Sequence, residues 1–553
     1  MHDLQDAFRQ IISNGLRRRA VQSPSRWAEE YRIMGPPLPG PWSFTYHPWL
    51  REVHDCKNQE VVILKAAQLG FTEALLNISF YYNDIERRNV LYILPTKTPD
   101  ASDFSSSRFD AALDLSPHLA MLYSHAKNVG HKRAGSANLW IRGSNSRSGL
   151  KSLPVSLMVY DEYDEMNMEN MVLADARTDG QIGEDSWRSV KLSTPTAPDF
   201  GVSALYEEST KDHFFFQCPH CSKQIELTFP ESLVITADSI FDPKIKESYI
   251  KCGECQKKLD HDKKIIYLKN GKWISTNETH RDRRGFHISQ LYSSADKATP
   301  WRLASSYLKA QTDNLEAQEL YNSRLGQPYV PPGHRVIPSE ILRAKKSERT
   351  CSSPAPKTKW ITLGADVGEP WIFYEITAWT FGNLSNDLNM NATAEVITAG
   401  KVLTFKELGQ LMHQWQVLMA VVDAQPERRL AYEFSCDFMG HVRLCFYANN
   451  MSGRMISVND TENTVSVDKT SWLDVALNRF HNDTIILPQD IPSEYGEQQQ
   501  GLVRRYKTNN QGKVIGYYHR VGADHYADAR CYSEIALPCA ASFTTNEDIK
   551  VFL

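Results

Sequence analysis

Short apolar runs that end in polar or acidic residues recur along the first half of the chain. The run Val155–Tyr160 has five apolar residues in six and is followed directly by Asp161 and Glu162. Because polarity does not alternate along it, this run predicts a strand buried on both faces of a parallel sheet. Open α/β sheets bind ligands at the carboxyl ends of their strands. The pattern therefore predicts two carboxylates at a ligand-binding edge, with a solvated acidic turn as the alternative.

A second apolar run leads from a strand through a loop into a helix, the arrangement that presents backbone N–H groups to phosphate. It begins at Val61 and passes through Lys65. Compared with the pattern G-x-x-x-x-G-K-[ST], Gly70 and Thr72 match, whereas Lys65 stands at the first glycine and Phe71 at the lysine. A lysine that enters from the strand can still reach the phosphates, and Thr72 keeps the hydroxyl that binds Mg²⁺. We interpret the segment as an atypical phosphate-binding loop.

Two further runs support a nucleotide site. Val90–Leu94 is a short apolar strand, and Val190–Thr196 ends in Ser-Thr-Pro-Thr. In P-loop ATPases the first acid of the acidic strand holds Mg²⁺, and the next orients the attacking water. A phosphate loop, an acidic strand and a hydroxyl-rich strand end follow one another as in a helicase-like motor. This order predicts that Asp161 binds Mg²⁺, that Glu162 orients water and that Ser193–Thr196 couples hydrolysis to movement.

A second set of acids appears in the last third of the chain. Asp366 and Asp423 each lie near the end of a predicted buried strand, and Asp528 lies on a predicted helix, Asp524–Ala536. RNase H-like nucleases gather such carboxylates around two metal ions that activate water and stabilise the leaving oxygen. Carboxylate ligands favour Mg²⁺ or Mn²⁺. Each acid is alternatively a cap or a surface residue, and Asp524 competes with Asp528 as the third ligand unless it caps the helix.

Two Cys-x-x-Cys knuckles predict a metal site of a different kind. Cys218 and Cys221 form the first knuckle, and Cys252 and Cys255 form the second, 30 residues later. Four thiolates match the closed tetrahedral geometry of a structural Zn²⁺ site, which leaves no position for catalysis. Reduced thiols without metal are the alternative. The gap exceeds the usual spacing, so we expect an inserted hairpin between the knuckles.

Composition changes this picture little. The 553 residues are 41% hydrophobic and 23% charged, which is ordinary for a soluble protein of two or three domains. The net charge of −4 predicts no global basic field, so DNA binding would need local clusters such as Arg17–Arg19 or Arg281–Arg284, which are alternatively solvated faces. Ten cysteines, no secretory-signal pattern and no apolar run near the ~18 residues of a membrane span predict a reducing cytoplasm.

The predicted fold class is α/β and multidomain: a P-loop (RecA/helicase-like) ATPase with an inserted zinc module, followed by an RNase H-like nuclease domain. The predicted divisions are an adaptor segment at 1–45, the ATPase domain at 46–330 with its zinc insert at about 212–285, a linker at 331–357, and the nuclease domain with its tail at 358–553. The Pro/Gly-rich stretch Gly326–Gly333 marks the main boundary.

The whole order of motifs resembles the large subunit of tailed-phage terminases, in the GpA-type branch, over roughly residues 25–540. The matching residues are Lys65–Thr72, Val159–Glu162, Ser193–Thr196, the two cysteine knuckles, Gly285–Tyr292, Asp366, Asp423 and Asp528. The resemblance implies an ATP-driven motor that moves double-stranded DNA into a procapsid and a two-metal endonuclease that cuts concatemers. It also implies a terminase small subunit, a portal protein, a homo-oligomer on that portal, and the host cytoplasm, without a membrane.

The predicted site residues follow from the motifs and the resemblance together. ATP is assigned to Lys65, Gln68, Gly70, Phe71, Thr72 and Asp161, with Glu162 as a catalytic residue. The chain departs from the wider terminase family because Ala66–Leu69 contains no arginine; Arg142 and Arg147 are the candidates for that role. Two other classes stay open: a DNA helicase or repair enzyme with a fused nuclease, and a non-catalytic, zinc-containing DNA-binding scaffold.

Overall fold

The computed structural model describes residues 21–541, apart from 125–127, 152, 184–185, 359, 382–388, 390–391, 449–450, 452–453 and 509–513. The chain divides into two compact units, Met1–Tyr329 and Val330–Leu553. The beginning of the predicted adaptor segment, including Arg17–Arg19, lies outside the described residues. Within them, no helix is both long and apolar enough to cross a lipid bilayer.

The first unit is built on a ten-stranded, mostly parallel sheet in the order β10-β9-β15-β3-β8-β7-β4-β6-β5, with β14 pairing to β9. The strands of this unit are β1 Ile33–Met34, β2 Gly40–Pro41, β3 Glu60–Lys65, β4 Val90–Leu94, β5 His131–Ala134, β6 Ala137–Gly143, β7 Leu157–Asp161, β8 Arg188–Ser193, β9 Asp212–Gln217, β10 Gln224–Ile225, β11 Leu233–Val234, β12 Tyr249–Lys251, β13 Lys258–Leu259, β14 Lys272–Ser275 and β15 Arg283–Ile288.

The helices of the first unit cover both faces of this sheet or connect its strands. They are Pro24–Tyr31, Leu50–Asp55, Phe71–Asp84, Ser102–Phe104, Ala111–Leu115, Pro117–Leu122, Met168–Asp175, Gly201–Glu207, Lys264–Tyr267, Pro300–Ala310 and Asn314–Gln318. Wider helical turns span Lys97–Ala101, Ser105–Asp110 and Glu319–Leu325, and 3₁₀ turns span Ser148–Leu150, Tyr163–Glu165, Pro243–Glu247, His261–Lys263, Gln290–Tyr292 and Asp296–Ala298.

Three of the predicted apolar strands are neighbours in this sheet. β3 pairs in parallel with β8, and β8 pairs in parallel with β7. Because parallel strands end at one edge, the carboxyl ends of β3, β8 and β7 bring Lys65, Ser193 and Asp161 to the same edge. The runs without alternating polarity are buried along nearly their whole length, as the pattern predicted.

The cysteine-containing region carries its own small sheet in the order β11-β12-β13. Its flanking strands belong to the main sheet: β9 pairs with β14 and β15, and β15 pairs in parallel with β3. The expected insert limits at about 212 and 285 therefore fall inside strands of the main sheet of the first unit. Short strands that join a sheet from distant parts of the chain carry no local signal of which sheet they join.

The second unit contains an eight-stranded sheet in the order β21-β22-β20-β19-β16-β17-β18-β23, and a two-stranded ribbon of β24 and β25. Its strands are β16 Ile361–Val367, β17 Ile372–Phe381, β18 Ala392–Val402, β19 Met419–Asp423, β20 Val442–Tyr447, β21 Ile456–Asn459, β22 Thr464–Val467, β23 Ile485–Ile486, β24 Leu502–Thr508 and β25 Val514–Arg520. β16, β17 and β18 are antiparallel, whereas β19 and β20 run parallel to β16.

The helices of the second unit are Pro338–Ala344, Phe405–Gln414, Arg428–Asp437, Lys469–His481, Ser493–Gln499 and His525–Ala541. The first of these lies within the segment predicted as a linker. Ile341 and Ala344 of that helix are buried in the core of the second unit. Part of the expected linker is therefore a helix packed on the core. The polar residues around these two apolar positions give no signal of that packing in the sequence.

Gly364 lets helix His525–Ala541 lie directly against the central strand β16. A Cβ atom at Gly364 would stand 2.0 Å from the carbonyl oxygen of Ala529 and 2.1 Å from the backbone nitrogen of Ser533. Real side chains do not tolerate such contacts with backbone. Strand and helix therefore pack backbone to backbone, and this packing sets the separation between Asp366 on the strand and Asp528 on the helix.

We expect Gly364→Ala to destabilise the second unit, because its methyl group must displace the helix backbone. The expected loss in the free energy of unfolding is at least about 2 kcal/mol, at the upper end for overpacking a core. Thermal unfolding monitored by circular dichroism measures it. Gly522→Ala is the matched control, since its nearest contact would be an ordinary 3.5 Å. Equal melting temperatures for the two variants would contradict the close packing.

Candidate active sites and a candidate metal centre

The edge formed by β3, β7 and β8 holds a network centred on Lys65 and Glu162. Lys65 Nζ donates to Glu162 Oε1 at 2.8 Å and to Thr194 Oγ1 at 3.4 Å. The Lys65 side chain is buried, whereas that of Glu162 is 40% exposed. A lysine at the end of β3 thus reaches the residues that follow β7 and β8.

Asp161 is fully buried beside this network. Tyr92 OH donates to its Oδ2 at 2.7 Å, and Thr72 Oγ1 donates to its Oδ1 at 3.4 Å. Burial, followed by the charge of Glu162, raises the pKa of Asp161 to about 6. The side chains of Asp161 and Thr72 offer adjacent oxygens of the kind that Mg²⁺ binds, and a cation there would offset the repulsion between the two carboxylates.

The loop between β3 and helix Phe71–Asp84 has two left-handed residues, Gln68 at φ +62° and Gly70 at φ +83°. A Cβ atom at Gly70 would also stand 2.9 Å from the Leu50 side chain. Both the backbone conformation and the lack of space therefore favour glycine at this position. The N–H groups of Ala66 and Ala67 are bound by the carbonyl oxygens of Ile288 and Ser323. The loop's remaining amides precede or open the helix. Phe71 is buried in the core and offers its backbone only.

Glu162 itself lies in a strained backbone conformation. Its φ and ψ angles are +63° and +54°, in the left-handed region that a residue of its type seldom adopts. This turn aims its carboxylate at the end of β8, where Ser193 Oγ and Thr194 N–H donate to Oε2 at 3.3 and 3.4 Å. Four groups predicted from separate motifs, Lys65, Glu162, Ser193 and Thr194, are therefore in direct contact.

Arg142 and Arg147 stay the predicted candidates for the catalytic arginine. Arg142 lies in β6 and donates to the backbone carbonyl oxygens of Gly130 and Ile141. Arg108, which belongs to none of the predicted motifs, donates at 2.9 Å to Glu73, the residue after Thr72. Its guanidinium is half exposed. Only the folded chain brings these two residues together, since 35 positions separate them.

The second acidic site lies where β16 and β19 end. The two strands are parallel neighbours, and Ala365 pairs with Val422, so Asp366 and Asp423 are the next residues on each. Burial raises the pKa of Asp366 to about 6; the charges of Asp528 and Asp423 act in the same direction, whereas a hydrogen bond from His525 opposes them. The pKa of Asp423 is also raised, first by burial and then by Asp528. The three predicted acids therefore share one electrostatic environment.

Two basic side chains contact these acids. His525 Nδ1 lies 2.7 Å from Asp366 Oδ2, and its ring stacks on Phe373. Lys469 Nζ donates to Asp528 Oδ2 at 3.0 Å. Burial lowers the pKa of Lys469, but the charge and hydrogen bond of Asp528 outweigh it and raise that pKa overall. No sequence motif marks Lys469, because it lies 59 positions from Asp528 and only packing brings the two together.

The three acids are close without forming a single tight cluster. Among the described residues, the four cysteines are the one group of three or more potential ligands whose atoms all lie within 4.8 Å of one another. Asp524 directly precedes helix His525–Ala541 and pairs with Arg520 at 3.0 Å.

The four cysteine thiols converge, as their spacing predicted. Cys218 Sγ lies 3.9 Å from Cys255 Sγ, and Cys221 Sγ lies 3.9 Å from Cys252 Sγ. Tetrahedral Zn²⁺ with bonds of about 2.3 Å requires sulfur atoms about 3.8 Å apart, so the donor set fits that ion. His220 is exposed, and its Nε2 lies 2.9 Å from the carbonyl oxygen of Lys258.

Two family models match the chain in the order of its two units. The model for the phage terminase large subunit gpA, ATPase domain, matches residues 37–273. The model for the terminase large subunit gpA, endonuclease domain, matches residues 283–415. The two matches together span about two-thirds of the chain. The chain belongs to the GpA-type large subunits of phage terminases.

Curated relatives of this terminase chain agree with the models. The large terminase subunit of Escherichia phage lambda is 25% identical over 360 residues, covering 59% of this chain and 54% of that protein. The large terminase subunit of Enterobacteria phage P21 is 23% identical over 375 residues, covering 59% and 55%. The chain spans about half the length of the curated relatives it matches. The crystal structure of the HK97 bacteriophage large terminase aligns with 93% of this chain and 98% of its own, at 11% identity and a TM-score of 0.45.

The endonuclease match covers only part of the second acidic site of this terminase. It includes Asp366 but ends before Asp423 and Asp528. Its beginning at residue 283 coincides with β15, which belongs to the first unit's sheet. The grouping of Asp423 and Asp528 with Asp366 therefore rests on the geometry of the second unit rather than on the family match.

We expect Cys252→Ser to abolish zinc binding by the terminase chain, because it removes one of four converging thiolates and leaves the site open. Zinc content per chain, measured by atomic emission on protein purified without chelator, should be near one for the wild type and near zero for the variant. The exposed Cys436, outside the cluster, supplies the control Cys436→Ser. A metal-free wild-type chain with four titratable thiols in the cluster would contradict the assignment.

Proposed function

We propose that this GpA-type chain is the catalytic subunit of a phage DNA-packaging motor: an ATPase that translocates double-stranded DNA and an endonuclease that cuts concatemeric DNA. The observation that carries the proposal is the presence of two separate carboxylate centres in one chain. One is joined to a phosphate-loop lysine, and the other is built from acids on two adjacent strands and a helix. A helicase or repair enzyme with a fused nuclease would not match the two gpA terminase models, and a non-catalytic scaffold would need neither centre.

We assign the first unit a P-loop, RecA/helicase-like architecture. The support is the parallel order β3-β8-β7-β4, with the lysine loop after β3 and the acids after β7. Lys65 and the turn Gly70–Thr72, with Gln68, would hold the phosphates of ATP. Asp161 and Thr72 would hold Mg²⁺, which supplies charge neutralisation for the transferred phosphoryl group.

Glu162 is then the residue that orients the attacking water. Its carboxylate is the exposed acid at the site and already contacts Lys65, Ser193 and Thr194. Lys65 is therefore shared between Glu162 and the bound phosphates, and occupancy of the loop draws it away from one oxygen of Glu162. Ser193 and Thr194 both donate to Glu162, so a shift of its carboxylate alters their hydrogen bonds. This contact fits a role in coupling hydrolysis to movement.

We assign the second unit an RNase H-like architecture. The support is three antiparallel strands, β18-β17-β16, continued by the parallel strands β19 and β20. Asp366, Asp423 and Asp528 would hold Mg²⁺ or Mn²⁺, which supplies an activated water and a Lewis acid for the leaving oxygen. His525 orients Asp366, and Lys469 orients Asp528 through their ion pair.

The remaining assignments follow from the family. Double-stranded DNA is the proposed substrate, and a terminase small subunit and the portal of the procapsid are the proposed partners, with several copies acting together in the host cytoplasm. The cysteine cluster is assigned to structural Zn²⁺. Its first knuckle lies between β9 and β10 of the main sheet and its second between β12 and β13 of the small sheet, so a bound ion would join the two sheets.

We expect Glu162→Gln to abolish ATP turnover while leaving ATP binding intact. The amide keeps the size of the side chain but cannot accept a proton from water, so kcat should fall by about 100-fold or more. Phosphate release in the presence of DNA gives kcat, and a fluorescent ATP analogue gives affinity. Glu165→Gln, an exposed acid of the same turn, is the control. Undiminished turnover in Glu162→Gln would remove Glu162 from this role.

We expect Asp366→Ala to stop DNA cutting without affecting ATP hydrolysis, because the two centres lie in separate units. Linearisation of plasmid in Mg²⁺ or Mn²⁺ measures the nuclease, and phosphate release measures the ATPase on the same preparation. Glu369→Ala changes an exposed acid just beyond the same strand and should cut normally. A nuclease centre at Asp366 is excluded if the Asp366 variant still linearises the plasmid.

A further inference from the structure

Asp164 has a buried carboxylate next to the proposed ATPase centre. It belongs to none of the motifs that supplied the proposed site residues. It lies in the 3₁₀ turn Tyr163–Glu165, two residues after Glu162. Its Oδ2 accepts the N–H of Thr196 and its Oδ1 accepts the N–H of Val202, both at 2.8 Å. These partners are backbone amides. Burial of a carboxylate without a cationic partner is unfavourable, and burial raises the pKa of Asp164 to about 7.

The same turn is joined to the end of β8 by a second set of hydrogen bonds. The N–H of Asp164 donates to Ser193 Oγ at 3.3 Å, and Ser193 Oγ donates to Glu162 Oε2 at 3.3 Å. Lys65 contacts both Glu162 and Thr194. The acidic turn and the Ser-Thr-Pro-Thr segment therefore form one closed network, with the Asp164 carboxylate at its buried end.

Gly201 lies against the other side of Asp164. Its φ is +52°, and a Cβ atom there would stand 2.0 Å from Asp164 Oδ1. Helix Gly201–Glu207 begins at this point, and its residues Val202 and Tyr206 pack with Val62 and Leu64 of β3. One carboxylate thus holds together the acidic turn, the segment after β8 and a helix that lies on the strand leading to the phosphate loop.

We propose that Asp164 is a positioning residue of the ATPase reaction, which fixes the segment after β8 and helix Gly201–Glu207 relative to Glu162. The inference rests on the proposed ATPase function and extends it to a residue that touches neither nucleotide nor metal in that scheme. Its hydrogen bonds go to Ser193, Thr196 and Val202, whereas the groups assigned to ATP are Lys65, the loop and Asp161. Loss of Asp164 should therefore impair turnover and spare binding.

Asp164→Asn tests this separation. The amide retains one acceptor, but its NH₂ group faces a backbone N–H, so one buried donor loses its partner. An unsatisfied buried donor costs about 1–3 kcal/mol, and we expect kcat for ATP to fall about 10-fold or more. The affinity for the fluorescent ATP analogue should stay within about twofold of wild type. Glu165→Gln, which changes the exposed acid beside Asp164, should retain wild-type kcat.

Gly201→Ala approaches the same contact from the opposite side. Its methyl group must displace the Asp164 carboxylate, so it should also lower kcat with little change in ATP affinity. Both substitutions disrupt the same contact. The fold-reduction in kcat of the double variant should therefore be much smaller than the product of the fold-reductions of the two single variants. Melting temperature and zinc content are measured on each protein to detect unfolding.

The inference is supported if both single variants fold, bind ATP and turn over slowly, with effects that do not multiply. It is overturned if either folded variant turns over ATP at the wild-type rate, if ATP affinity falls together with kcat, or if neither variant folds. Absence of ATP hydrolysis by the wild-type chain with DNA present is a different result, because it counts against the proposed function rather than against Asp164.

Discussion

Both candidate centres depend on holding carboxylates close together in spite of their mutual repulsion. Burial and neighbouring charge raise the pKa of Asp161 and of Asp366 to about 6 each. Each centre offsets this with specific donors: Lys65 contacts Glu162, Tyr92 contacts Asp161, and His525 contacts Asp366. A site assembled in this way is poised for cations, because a bound cation relieves the repulsion between the buried carboxylates.

The fold supplies the rigidity that such repulsion requires. In the first unit, parallel strands deliver the reactive side chains to one sheet edge, and Asp164 joins the turns that follow β7 and β8. In the second unit, Gly364 has no side chain, and helix His525–Ala541 can therefore contact the backbone of β16 directly. Arg530 of that helix is fully buried between Glu375 and Glu534 and anchors the helix against β17.

Much of the first centre was predictable because its signals are local. The non-alternating apolar runs predicted β3, β7 and β8, and the residues that end them lie together since parallel strands share an edge. The signal for the cysteine cluster was equally local, because each Cys-x-x-Cys pair lies within four consecutive residues. Contacts that join distant segments had no such signal: Arg108 with Glu73, Lys469 with Asp528, and Asp164 with Thr196 and Val202 each depend on packing. The helix inside the expected linker was missed for the same reason.

The sequence by itself determined which chemistry the chain carries: a strand-borne lysine, two sets of acids and four cysteines, at spacings that reflect the local periodicity of strands and helices. The tertiary structure decided which of those acids meet and which cations hold them. Strand neighbours and strand-to-helix distances are set by the packing of whole elements, where a single glycine such as Gly364 or Gly201 determines how closely two backbones approach. Such distances arise only after residues far apart in the chain, such as Gly364 and Ala529, are brought into contact.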